Sequence, residues 1–161
     1  TRMAQACACT PTNMPAGSVP AYFAKGPNMM VRGDIARSFR FGADTQNYGD
    51  GQRARGNEDT DFAMRTSGSG RGTVWYVPEA TVRHIVRPDE MTLRAVIQRY
   101  IRIGMGQPQI QPYTRIGVAA SILRSAALIA AYAVTFQRQR AISQIVTLAA
   151  QTGRMKALMR R

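Results

Sequence analysis

No acidic residue occurs between Met91 and Arg161, although eleven arginines and lysines lie in that stretch. All nine acids of the 161-residue chain sit at or before Glu90, where eleven basic residues nearly balance them. The net charge of +13 therefore belongs almost wholly to the C-terminal part. Such a bias fits an anionic partner surface, either a nucleic acid or a membrane leaflet. Cysteine is also scarce. Cys7 and Cys9 are the only two, too close in sequence to bridge each other, which excludes a disulfide-built scaffold and fits unpaired thiols in a reducing compartment. The single histidine, His84, lies far from them, so the pair lacks the partners of a zinc site. A purely apolar membrane span is missing as well. Residues 116–136 are long enough, but they include seven alanines, Ser121, Ser125, Thr135 and, near the middle, Arg124. A central arginine costs about 2.5–3.5 kcal/mol on an insertion scale, so an interfacial or bundle-packed helix is expected there.

Apolar residues make up 45% of the chain, enough for one modest domain with a hydrophobic core. The chain starts at Thr1 with no signal-peptide pattern, a start expected either of a piece of a longer protein or of a processed chain. Residues 1–25 carry Pro11, Pro15, Gly17 and Pro20 and read as an irregular lead-in. Residues 28–31 read as a short buried strand, 34–38 as a helical turn, and the glycine-rich residues 42–57 as a long loop. A helix is predicted over 58–67, with acids in its first turn and Gly68 and Gly70 at its end. Residues 73–77 and 80–86 have strand composition, with Pro78 between them and Trp75 and Tyr76 as strand core. Thr92 suits the cap of a helix whose apolar positions Leu93, Val96, Ile97, Tyr100 and Ile101 recur at helical spacing. A last amphipathic helix is predicted over 141–159, flanked by arginines.

Three motifs carry the chemistry. Gly26-x-Asn28-Met29-Met30-Val31-Arg32 comes first, then Gly56-Asn57-Glu58-Asp59-Thr60-Asp61, then Tyr76-Val77-Pro78-Glu79-Ala80-x-Val82-x-His84. In order and spacing this set resembles the C-terminal part of family 2 glycosyltransferases, over about half of the chain. The resemblance implies an α/β fold: the C-terminal half of a GT-A-like nucleotide-diphospho-sugar transferase domain, followed by amphipathic helices. It divides the chain into the lead-in 1–25, an acceptor-side part 26–105 and a basic, helical, membrane-associating tail 106–161.

The implied reaction is inverting transfer of a sugar from a nucleotide-sugar donor to the hydroxyl of a glycan or lipid-linked acceptor. A hydroxyl is a poor nucleophile until a base takes its proton, and the resemblance gives that role to Asp59. It gives acceptor binding to Glu58 and Asp61, although acids at a helix start also serve the helix dipole alone. His84 is the implied protein ligand of a donor-bound Mn²⁺ or Mg²⁺, an imidazole favouring manganese. Arg99 and Arg102 are the candidates for the donor diphosphate, since guanidinium forks suit phosphate oxygens. Processive relatives carry Gln-x-x-Arg-Trp at this point. Here Gln98 precedes Arg102 by one residue too many and no tryptophan follows, which speaks against a processive polymerase.

Family members begin with a nucleotide-binding region and a strand ending in Asp-x-Asp that hold the donor and most of the metal. Asp59-Thr60-Asp61 spells that pattern but opens a helix, so the donor half is expected in a longer protein and the isolated chain is expected to be inactive. The acceptor chemistry and the basic tail together imply a cytoplasmic enzyme, peripheral on the anionic inner face of a membrane. Two other readings fit parts of the sequence: a basic nucleic-acid-binding module, which lacks any base-reading motif and for which aromatics are sparse in the basic region, and an inactive transferase remnant.

Overall fold

The computed structural model describes residues 14–24, 26–42, 57–83 and 85–160. Among them it is mostly helical, with five α-helices and one two-stranded sheet, and it falls into two compact units, within Cys7–Ile85 and within Val86–Arg161. Cys7, Cys9, Gly56, His84 and nearly all of the 42–57 loop lie outside the described residues.

In the N-terminal unit, β1 (Gly17–Val19) pairs antiparallel with β2 (Val74–Tyr76), with Ser18 opposite Trp75. A short helix α1 (Gly33–Ser38) and the longer α2 (Glu58–Gly68) supply its core: Ile35, Phe62, Ala63 and Thr66 are buried, and Phe41 stacks on Phe62 at 4.6 Å between ring centroids. α2 forms where its acids meet the positive end of the helix, and an i,i+4 pair, Asp61 with Arg65 at 2.9 Å, supports its first turns. Thr66 returns its hydroxyl to the carbonyls of Phe62 and Ala63, so its burial leaves no donor unsatisfied. Gly70 takes a φ of 71° just past the helix, which a side chain would resist.

This architecture corrects the expected fold class. An α/β domain needs a parallel sheet, and the described residues form only two paired strands of three residues each. Residues 28–31 are not a strand: Gly26–Asn28 is a 3-10 turn, and the segment after it joins no ladder. The described residues of 80–86 form no strand either. Ala80 and Thr81 donate their N–H groups to Val77 and Glu79, closing a turn after Pro78. The physical reason is the same at both places. Strand composition stabilises a strand only when a neighbour pairs with it, and no described segment does so here. Their apolar side chains consequently stand in solvent, with Met30 98% and Ile85 81% exposed. Trp75, expected in the core, is 63% exposed. The lead-in in turn contains β1, a strand that its proline-rich composition hid.

The C-terminal unit contains α3 (Leu93–Ile110), α4 (Arg115–Val134) and α5 (Arg138–Met159). Thr92 caps α3 by accepting the Ala95 N–H, and Thr114 caps α4 by accepting that of Gly117. α3 continues through Pro108 to Ile110. α5 packs against both other helices, with Val146 and Val96 fully buried at its contact with α3. That crossing is very close. A Cβ on Gly104 would lie 2.1 Å from the Ala150 carbonyl oxygen, and one on Gly153 would lie 2.0 Å from that of Ile101. α4 runs antiparallel to α5 over its whole length: Arg115 donates to the Leu158 carbonyl at one end, and the Arg140 guanidinium lies over the Tyr132 ring at the other.

Candidate functional site

The three acids of the second motif all open α2, but their surroundings differ. Asp61 is committed to Arg65, whose guanidinium also donates to the Arg40 carbonyl. Asp59 uses both carboxylate oxygens on the backbone. Oδ2 accepts the Gly26 N–H at 2.8 Å and Oδ1 accepts the Thr60 N–H at 2.7 Å. This ties the first motif to the second: the glycine turn at Gly26 meets the helix start through one aspartate. Gly26 leaves room there, since a Cβ would stand 3.6 Å from Oδ2. Asn28 of the same turn donates its side-chain amide to the Ala80 carbonyl of the third motif. The motifs that lie apart in sequence are therefore joined by two hydrogen bonds from side chains the sequence singled out.

Glu58 is half-buried beside Asp59. Burial raises its pKa above the ordinary glutamate value, a hydrogen bond from its own backbone opposes the rise, and the neighbouring Asp59 charge adds to it. The helix start thus holds one carboxylate fixed by backbone donors and a second that keeps its proton to higher pH. Glu58 was singled out by its motif; its burial was not visible there, because it depends on how the chain folds back over the helix start.

A cavity of about 860 Å³ occupies the same unit, walled by Met29, Met30, Phe62, Arg71, Trp75 and Val77 among others. Neither Glu58 nor Asp59 lines it. The carboxylate pair and the apolar cavity are separate features of this unit.

The other expected residues are dispersed. Arg99 and Arg102 lie on α3 in the C-terminal unit. Arg99 faces Glu90 at 3.7 Å, so an anionic partner is already beside it, whereas Arg102 buries its Nε with no hydrogen-bond partner among the described residues. His84, the expected metal ligand, lies outside the described residues, and among those described no three His, Cys, Asp or Glu side chains come together as a cation site.

α4 is long and apolar enough to cross a membrane. Val118 and Ser125 face inward, while Ile116, Leu123, Ala127, Ala130 and Val134 form an exposed apolar face on the opposite side. Arg124 lies at the flank of that face, about 100° round the helix from Ser125.

No family model matches the chain, and neither a curated protein nor a solved structure matches it.

Proposed function

We propose that this chain carries the acceptor side of an inverting sugar transfer, with Asp59 as the general base. The acceptor oxygen forms its bond to the anomeric carbon of a nucleotide sugar, Asp59 takes the hydroxyl proton, and the nucleoside diphosphate leaves with the bonding electrons. The observation that carries the reading is the Asp59 carboxylate held by the Gly26 and Thr60 N–H groups at the start of α2. A base must sit within hydrogen-bond reach in a fixed orientation, and each oxygen retains a second lone pair for the incoming hydroxyl. Glu58, with its raised proton affinity, binds a neighbouring hydroxyl of the acceptor. The reading rests on this helix start and the motif order, and takes nothing from sheet architecture.

The test is sugar transfer by the full-length protein that contains this chain, supplied with nucleotide sugars and with glycan and lipid-linked acceptors. Asp59→Asn keeps the shape and removes the base, and turnover is expected to fall about 10²–10⁴-fold. Near-normal turnover with unchanged folding overturns the assignment.

In the same reading the C-terminal unit rests on the anionic inner face of a membrane without crossing it. The apolar face of α4 supports contact with acyl chains, and Arg115, Arg138 and Arg140 flank it at both ends. Spanning is disfavoured by the packing. α5 accompanies α4 along its length and would carry Gln144, Gln151, Arg154 and Lys156 into the hydrocarbon.

A further inference from the structure

Where α4 begins and α5 nears its end, a second cavity of about 380 Å³ opens within the C-terminal unit. Tyr113, Thr114, Ser121, Gln151 and Arg154 are among its walls. Arg154 is fixed from two sides: its Nε donates to the Gln107 side-chain oxygen on α3, and its guanidinium lies 4.7 Å from the centre of the Tyr113 ring. Its terminal nitrogens have no hydrogen-bond partner among the described residues. Gln151 is the second observation. It is only 8% exposed, it lines this cavity, and its amide has no partner among the described residues. The little surface that Gln151 keeps is on this cavity, so its unpaired amide is a donor and an acceptor that a polar ligand there can use.

The chemistry of that ligand follows from the charges around it. No acid occurs from Met91 onward, so α3, α4 and α5 bring no carboxylate to the cavity, and the positive end of the α4 dipole adds to the Arg154 charge. Thr114 and Ser121 offer hydroxyls. A cation with free terminal donors, an amide, hydroxyls and a helix N-terminus together suit a tetrahedral oxyanion. We propose that this cavity is a phosphate-binding site, in which Arg154 and Gln151 hold a phosphate group at the start of α4. The group comes either from a lipid headgroup, next to the apolar face of α4, or from a soluble phosphoester. The site is independent of the α2 carboxylates and stands whether or not the chain takes part in sugar transfer.

The experiment uses the full chain, isotopically labelled, and follows the side-chain resonances of Gln151 and Arg154 during titration with inorganic phosphate. In parallel, co-sedimentation compares vesicles containing phosphatidic acid with vesicles of equal negative charge supplied by a fatty acid. A shift of both resonances with phosphate is expected. Preference for phosphatidic acid together with that shift identifies a lipid source, and the shift without a preference identifies a soluble one. Gln151→Leu is expected to weaken phosphate binding about tenfold, as loss of one hydrogen bond to a charged group does. Gln151→Glu places a carboxylate against Arg154 at nearly constant volume and is expected to abolish binding; this second variant covers the case in which leucine disturbs the packing. Absence of a Gln151 shift overturns the proposal, whatever the vesicles do, as does unaltered binding by Gln151→Glu.

Discussion

In the C-terminal unit, glycines at 104 and 153 let two helices meet backbone to backbone, whereas in the N-terminal unit Met30, Trp75 and Ile85 stand in solvent. The helical unit closes on itself because its partners follow one another in the chain. α4 and α5 are joined by only Thr135, Phe136 and Gln137, and each helix satisfies its own backbone before any packing occurs. The N-terminal unit instead has segments of strand composition, and a strand has no use for its hydrogen-bonding edges until another strand arrives. Val74–Tyr76 found Gly17–Val19; residues 28–31 and 80–86 found none among the described residues.

The largest expected effect separates the two units by one methyl group. Gly153→Ala must push α3 and α5 apart, because its Cβ would stand 2.0 Å from the Ile101 carbonyl oxygen, a backbone atom that cannot swing aside. Overpacking of this kind costs about 1–3 kcal/mol, and the melting temperature of the unit is expected to drop by roughly 4–8 °C for each of those. Gly68→Ala is the counterpart in α2, where nothing lies within 4 Å of the added carbon. There the replacement is expected to be neutral or to stabilise by about 0.4–1 kcal/mol through the unfolded chain. Thermal melts followed by circular dichroism compare them. Equal tolerance at both glycines means that the α3–α5 approach is looser than described.

A second expected outcome concerns the exposed surfaces of the two units. The α4 face is continuous, apolar and flanked by cations, while the exposed Val77 and Val82 of the N-terminal unit lie two and three residues from Glu79 in the chain. Binding of the chain to anionic liposomes should exceed binding to neutral ones, and Leu123→Glu, in the middle of the α4 face, should weaken it about tenfold or more. Met30→Glu in the other unit should change it little. Each basic residue near an anionic surface contributes about 1 kcal/mol, screened beyond about 8 Å at physiological salt, so rising salt should release the protein. Retention through high salt and alkaline carbonate shows instead that α4 spans, and no binding to either liposome leaves α4 as an ordinary packed helix.

The same contrast governs what could be read from the residues alone. Helices α2, α4 and α5 were legible to within a few residues, and α3 by its start, because caps such as Thr92, helical spacing and charge placement are local signals. One signal misled: the strand composition of 28–31 and 80–86 carried no information about whether a partner strand exists. β1 was missed for the converse reason: Gly17–Val19 is a strand only because Val74–Tyr76, more than fifty residues later, lies beside it. At the candidate site the residue types were legible and the wiring was not. Glu58, Asp59 and Asp61 look alike in sequence, but folding gave Asp61 to Arg65, tied Asp59 to Gly26 and half-buried Glu58. The unpartnered amide of Gln151 had no sequence signal, since a glutamine in an amphipathic helix reads as a solvent-facing residue.

The smallest expected effect tests whether the helix start of α2 is strained by its acids, a condition that α3, α4 and α5 escape by having none beyond Glu90. Burial raises the folded-state pKa of Glu58 above its ordinary value of 4.5. Between that ordinary value and the raised one, the folded protein binds more protons at this site than the unfolded chain does. Stability attributable to Glu58 therefore falls as pH rises through this window, and at neutral pH the penalty is fully present. Glu58→Gln retains the shape and removes the charge. Because Glu58 is only partly buried and solvent still screens it, the gain is small, roughly 1–2 °C in melting temperature at pH 7. Below pH 4 the two proteins should melt together, since both are then uncharged at residue 58. A lower melting temperature for Glu58→Gln at pH 7 would mean that the attraction of the carboxylate to the α2 N-terminus outweighs its burial, and that Glu58 is an ordinary helix-start acid.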